Sequence, residues 1–157
     1  MRRNAVHALL LLFPMTFGSL ATVQPAMSAE VHHVSARPDR MDILPTLKGH
    51  MAHLGALMNF LFRNIDEEDQ RDELIAVARE MDEHLRRSTH FEPLSLDLII
   101  DPAEYAKARK AYRKCIRVTR QLTAELEQSL SGSGAQTPRQ VLLRLDRKRR
   151  DCHAAFG

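Results

Sequence analysis

The sequence predicts an all-α protein, an antiparallel up-down-up-down four-helix bundle, on three observations. In four segments, apolar residues recur at alternating steps of three and four, which places them on one face of a helix. The links between these segments are mostly short, and short links join neighbouring helices that run in opposite directions. Tryptophan is absent and aromatic residues make up 5% of the chain, while long-chain, helix-favouring residues are plentiful. That composition suits a helical domain of about a hundred residues.

The chain begins with a predicted signal peptide, residues 1–29. Arg2 and Arg3 precede an apolar stretch that is interrupted by Pro14 and Gly18, and small residues follow at a suitable cleavage position. The alternative is that this apolar stretch is retained as a membrane anchor. Elsewhere in the sequence no segment approaches the ~20 apolar residues of a transmembrane helix. We expect a flexible segment at 30–43, the bundle at 44–157, and a periplasmic protein that makes no contact with the membrane after the signal is removed.

The charge balance gives no reason to expect a nucleic-acid partner. The chain has 23 basic and 20 acidic residues, and cleavage of the signal removes two arginines and no acid. The mature protein is therefore close to neutral, although "RKRR" makes its C-terminal end basic and "DEED" makes the start of its second helix acidic. Each charged run is interpreted as a solvated helix surface.

The first two predicted helices share the same periodicity. The first follows Pro45, a residue that is tolerated at the start of a helix, and the second follows the acidic run, which favours a helix N-terminus. The apolar positions of the first helix are Leu47, Met51, Leu54, Met58 and Leu61. Those of the second are Leu74, Ala78, Met81 and Leu85.

The last two predicted helices carry start signals. Asp101 and Pro102 open the third, and Thr137, Pro138 and Gln140 open the fourth. Before the third helix lies a long connection, in which four apolar residues are expected to cover the core. These residues are Leu96, Leu98, Ile99 and Ile100.

Antiparallel packing predicts that Met51 and His153 lie at the same end of the bundle. Met51 is near the start of the first helix and His153 is near the end of the fourth. A thioether and an imidazole from opposite sides form a ligand pair for haem iron. The alternative is that Met51 only packs in the core and that His153 is an ordinary terminal residue.

The two ends of the chain resemble the cytochrome b562 family of periplasmic four-helix haem proteins. In the first helix the matching positions are Leu47, Met51, Leu54, Met58 and Leu61. In the last helix they are Arg149, His153 and Phe156. The resemblance implies one noncovalent b-type haem with Met51 and His153 as axial ligands, Arg149 beside the haem edge, and an electron-transfer function with a periplasmic redox partner.

Cys152 departs from that pattern, since the family usually has an aromatic residue before the ligand His. "RDCHAAF" is also similar to the end of cytochrome c′, whose C-x-x-C-H motif binds haem covalently, but Arg149 replaces the first Cys. A single thioether bond through Cys152 is one use of this residue. A disulfide with Cys115 is the other, because both cysteines lie at similar distances from the turn that joins the third and fourth helices.

The remaining histidines allow a haem-free alternative, a disulfide-bonded binding or structural module that binds a metal such as copper. His50 and His53 are three residues apart beside Met51, and His32 and His33 precede the bundle. His84 and His90 have no evident partner and are expected on the surface. Neither a catalytic triad, a paired-carboxylate cleft nor a phosphate-binding loop can be argued from the sequence, so we do not expect an enzyme.

Overall fold

A computed structural model of the chain describes residues 46–157, and this part is all-helical. Its long helices are α1 (Leu47–Asn64), α2 (Arg71–Ser88), α4 (Pro102–Leu130) and α5 (Pro138–Phe156). A 3₁₀ turn (Glu68–Gln70) precedes α2, and a four-residue helix, α3 (Leu94–Asp97), precedes α4. Between 46 and 157 there is no β-strand, and no helix is sufficiently long and apolar to cross a bilayer. The predicted signal peptide, the segment 30–43 and the first two residues of the predicted bundle lie outside the described range.

Side-chain caps start three of the long helices. The Thr46 hydroxyl accepts a hydrogen bond from the Gly49 amide (3.1 Å), and the Asp101 carboxylate accepts one from the Ala103 amide (2.7 Å). Thr137 and Gln140 form the reciprocal capping box predicted for α5. The start signals of the last two helices are therefore confirmed.

The connection between α2 and α4 differs from its prediction. Leu96 is buried, with 1% of its surface exposed, and Ile99 packs against the core. Leu98 and Ile100 are 81% and 96% exposed, so the expectation that they cover the core is wrong. The one-turn helix α3 explains the difference, because it directs only one side of this short segment towards the protein.

The helices pack in the order α1, α2, α4, α5, and α1 makes little contact with α5. Arg79 pairs with Glu127, and Asp82 with Arg120. Residue numbers therefore rise along α2 as they fall along α4.

Apolar packing is tightest at the end of the protein where α1 and α4 finish and α2 and α5 begin; we call this end the closed half. Eight of its core side chains are at most 1% exposed: Leu57, Leu61, Leu74, Val77, Leu126, Leu130, Val141 and Leu142. The opposite end, where α1 begins and α5 finishes, is called the open half.

A glycine turn joins α4 to α5 at the closed half. Gly132 has φ of 80°, a left-handed conformation that favours glycine. The amides of Gly132 and Ser133 bond back to the carbonyls of Ser129 and Gln128, which is the Schellman pattern at a helix C-terminus. This turn reverses the chain and brings α5 alongside α4.

Candidate functional site

The open half contains a cavity of about 970 Å³ that lies between α1 and α5. It exists because these two helices make little contact with each other. Most of its lining side chains are apolar. Those that reach it from the long helices include Leu47, Met51, Leu54, Met58, Met81, Leu85, Tyr112, Ile116, Leu145 and Phe156.

Met51 and His153 both line this cavity. Met51 is half-buried and packs against the core. His153 is exposed, and its ring has no hydrogen-bond partner within residues 46–157. The two side chains predicted to act together therefore border the same space, from helices on its two sides.

Arg149 lines the cavity as well, but its guanidinium is already engaged. Its Nε and Nη2 donate to Oδ1 of Asp146 at 3.0 and 2.9 Å. Arg150 donates to the second oxygen of the same carboxylate. Asp146 is buried, so this pair of arginines neutralises a carboxylate that would otherwise be costly at that position.

The predicted disulfide between Cys115 and Cys152 is present, with Cα atoms 6.0 Å apart. It joins α4 to α5, and both cysteines border the cavity. Because the Cys152 sulfur is bonded to Cys115, it is not available for a thioether bond to haem. Of the two uses of Cys152, the structure contains the disulfide.

Two polar groups on the cavity wall have shifted pKa values. Burial raises the pKa of Tyr112 to about 12, and its hydroxyl donates to the Ser88 carbonyl at 3.3 Å. Hydrogen bonds from Tyr105 and then Arg109 lower the pKa of Glu92. The tyrosine is thus neutral and the carboxylate charged near pH 7.

A cluster of buried histidines lies between α1 and α2, and we call it the histidine cluster. His53 Nε2 lies 2.9 Å from Glu80 Oε1, and His84 Nε2 lies 3.9 Å from the same oxygen. His50 Nδ1 and His84 Nδ1 are 2.9 Å apart. The three histidines are 3–5% exposed.

Burial lowers the pKa values of His50 and His84. For His50 the nearby charge of Arg87 adds to the effect of burial, followed by His53. For His84 the other two histidines add to burial. Both rings are therefore neutral at pH 7, and the hydrogen bond between them needs only one of the two Nδ1 atoms to carry a proton.

Sequence reasoning missed Glu80 and His84 as members of this cluster. His84 was expected on the surface, which is wrong, whereas His90 is exposed as expected. The available signal was a pair of spacings: His50 and His53 are three apart on α1, and Glu80 and His84 are four apart on α2. Each pair lies on one face of its helix, but only the packing of α1 on α2 brings the two faces together.

Comparisons with family models, with curated proteins and with solved structures gave no match to this chain.

Proposed function

We propose that residues 44–157 form an antiparallel four-helix bundle that binds one b-type haem in the cavity between α1 and α5, and that the protein is a small periplasmic electron carrier. The observation that carries the proposal is that Met51 and His153, a thioether and an imidazole, border one apolar cavity from two helices.

The cavity suits a large, flat, mainly apolar group. Ligand cavities in proteins typically measure about 300–1,000 Å³, and this one is at the upper end of that range. Leu94 and Leu98 border the cavity, yet these two residues are 82% and 81% exposed to solvent. A bound apolar group would cover such side chains, which otherwise remain in water at an energetic cost.

The residues present determine the mode of binding. Met51 and His153 would hold the iron, and the disulfide leaves noncovalent binding as the proposed mode. A bound haem supplies one-electron exchange between ferrous and ferric iron, and Met/His ligation raises its potential. The protein's part is to position the group and exclude water, with no catalytic role.

The basic end of α5 offers a contact for an acidic redox partner or a haem propionate. Arg147, Arg149 and Arg150 are exposed there. Asp146 engages two of them, yet each guanidinium carries five donors. Complementary charge of this kind accelerates the encounter of two proteins.

The disulfide supports the proposed compartment. Disulfides persist in oxidising environments such as the periplasm and are rare in the cytosol. Together with the predicted signal at 1–29, it favours an exported protein.

The test is haem titration of the purified, oxidised protein, followed by visible absorption in both redox states. We expect a Soret band that saturates at one haem per chain and sharp α and β bands on reduction. His153→Ala should abolish these bands, and Met51→Leu should change them to those of an iron that has lost its sulfur ligand.

Two matched variants control this test. Met58→Leu replaces a second cavity methionine on the same helix, and His90→Ala removes an exposed histidine; both should leave the spectrum unchanged. A protein that takes up no haem, or a spectrum that neither Met51→Leu nor His153→Ala alters, would contradict the proposal. Circular dichroism confirms that each variant is folded.

A haem-free alternative is supported by a different observation, the histidine cluster beside an intact disulfide. In that case the bundle is a disulfide-bonded structural or binding module that holds a metal such as copper. A colourless protein with no free thiols, which binds a metal ion but no haem, is the result expected from this alternative.

A further inference from the structure

We propose that His53, Glu80 and His84 bind one divalent transition-metal ion, with zinc as the expected ion, and that this ion links α1 to α2. The site is separate from the cavity, because none of these three residues lines it. It therefore does not depend on haem binding.

The distances between the ligand atoms are close to those that a zinc ion needs. One nitrogen of each histidine and one Glu80 oxygen lie within 4.8 Å of one another. Zinc binds nitrogen and oxygen at about 2.0–2.2 Å in tetrahedral geometry, which places neighbouring ligand atoms about 3.3–3.5 Å apart. The observed separations of 2.9 and 3.9 Å from Glu80 Oε1 lie on either side of that value, and binding of an ion requires the three side chains to shift until all three separations reach it.

The cluster is incompletely satisfied as a purely structural hydrogen-bond network. His53 is 3% exposed, and its Nδ1 has no hydrogen-bond partner in the described part of the chain. Buried polar atoms are usually paired, and an exception calls for an explanation such as an ion or a water. That atom lies on the other side of the imidazole ring from Nε2, the nitrogen that faces Glu80, so it is not a ligand atom, and the metal proposal rests on the positions of His53 Nε2, Glu80 Oε1 and His84 Nε2.

His50 acts as a positioning residue for His84. When His84 Nδ1 donates its proton to His50 Nδ1 at 2.9 Å, the lone pair of His84 Nε2 is left on the side of Glu80 Oε1. Without a metal, the other tautomer, in which His50 Nδ1 donates to His84 Nδ1 and His84 Nε2–H faces Glu80, suits the carboxylate better; a cation between Nε2 and Oε1 favours the first tautomer. A histidine ligand that donates its second ring N–H to a neighbour is the usual arrangement around protein-bound metals.

Burial assigns the ion a structural role. Two histidines and one carboxylate leave a fourth position open, which in catalytic zinc sites receives the substrate. Here the side chain of His53 is 2% exposed, that of His84 6% and that of Glu80 14%, so a substrate has little access and a water molecule suits the fourth position. The ion would fix α1 on α2, just as the disulfide fixes α5 on α4.

The experiment uses untagged full-length protein that has been dialysed against a chelator. Zn²⁺ titration by calorimetry should give one ion per chain, and Co²⁺ should give the intense visible bands of four-coordinate cobalt. A hundredfold excess of Zn²⁺ over its Kd should raise Tm by about 5–10 °C. Cu²⁺ is titrated in parallel, because nitrogen-rich sites bind it more tightly than zinc.

The variants separate ligands from positioning residues. Glu80→Gln preserves shape and removes the charge, and His84→Gln removes an imidazole; each should abolish the stoichiometric binding. His50→Ala should weaken it by about 10–100-fold without changing the stoichiometry.

The control variants replace histidines that lie outside the histidine cluster. His90→Ala and His153→Ala should bind Zn²⁺ as the wild type does, and so should the double variant His32→Ala/His33→Ala, which removes the adjacent pair near the N-terminus. Wild-type protein that neither binds Zn²⁺ nor gains stability from it would overturn the proposal. Stoichiometric Zn²⁺ binding that persists in Glu80→Gln and His84→Gln would also overturn it. So would the loss of binding in the double variant His32→Ala/His33→Ala.

Discussion

The closed and open halves of this protein are held together by different interactions. The closed half is packed with leucine and valine side chains that are at most 1% exposed. The open half contains a cavity of about 970 Å³, and there a disulfide and a buried histidine cluster connect the helices. A domain that leaves part of its interior unfilled loses apolar stabilisation there, and covalent and polar links between helices compensate for part of that loss.

The largest expected effect comes from leucine truncation on α1, which compares the two halves directly. Leu61→Ala, in the closed half, should lower the free energy of unfolding by about 3–5 kcal/mol, because a fully buried leucine leaves a new cavity behind. Leu54→Ala, whose side chain already borders the open cavity, should cost roughly half as much. Urea denaturation measures both, and equal losses would show that the open half is packed as tightly as the closed half.

Removal of the disulfide tests how much the open half depends on its covalent link. Cys115→Ala/Cys152→Ala should lower the free energy of unfolding by about 2–4 kcal/mol, because the bond closes a long loop, its cysteines having a sequence separation of 37. The measurement is urea denaturation of the oxidised wild type, the reduced wild type and the double variant. The last two should agree, and a double variant as stable as the oxidised protein would refute this account.

The histidine cluster should make the stability of the open half depend on pH. Burial lowers the pKa values of His50 and His84 below 6.5 in the folded protein, so the unfolded chain takes up protons that the folded chain does not. Their contribution is fully present above pH 6.5 and is lost as pH falls below it. The slope is up to about 1.4 kcal/mol per pH unit for each proton taken up.

Thermal unfolding between pH 7.5 and 5.5, in the presence of a chelator, measures this dependence. The ionisable groups that act on the rings of His50 and His84 are His53, Glu80 and Arg87. Replacement of His84 by Leu should flatten the profile in this range, whereas His90→Ala should not. Carboxylates with lowered pKa values, such as Asp66 and Glu92, act below this range; a wild-type profile that is flat above pH 5.5 would contradict the prediction.

The smallest expected effect is that of an ion pair between α2 and α4. Arg120 donates to both oxygens of Asp82 at 2.8 and 2.9 Å, and both side chains are 37% exposed. Asp82→Asn should cost about 0.5–1 kcal/mol in low salt and less in high salt. Lys107→Gln, which removes the largely exposed partner 3.5 Å from Glu104, should have no measurable effect. An Asp82→Asn loss comparable to that of Leu61→Ala would mean that charge, rather than apolar packing, dominates this interface.

The sequence alone determined the four long helices and most of their start points, and it gave the disulfide with Cys115 as one of two uses of Cys152. Local signals were sufficient, because a capping side chain such as Thr137 or Asp101 acts within four residues and a helical period identifies the buried face. The disulfide could be proposed because helix rise and a short turn place Cys115 and Cys152 at similar heights, and the structure decided between it and a thioether bond to haem.

Only the tertiary structure decided the cavity and the histidine cluster. A helical period identifies which face is buried, but it does not determine how far two faces lie apart, so the gap between α1 and α5 could not be predicted. Nor does it determine rotation and register between neighbouring helices, which decide whether Glu80 and His84 meet His50 and His53. Those quantities depend on the sum of many side-chain contacts across the core, and hence on the whole fold.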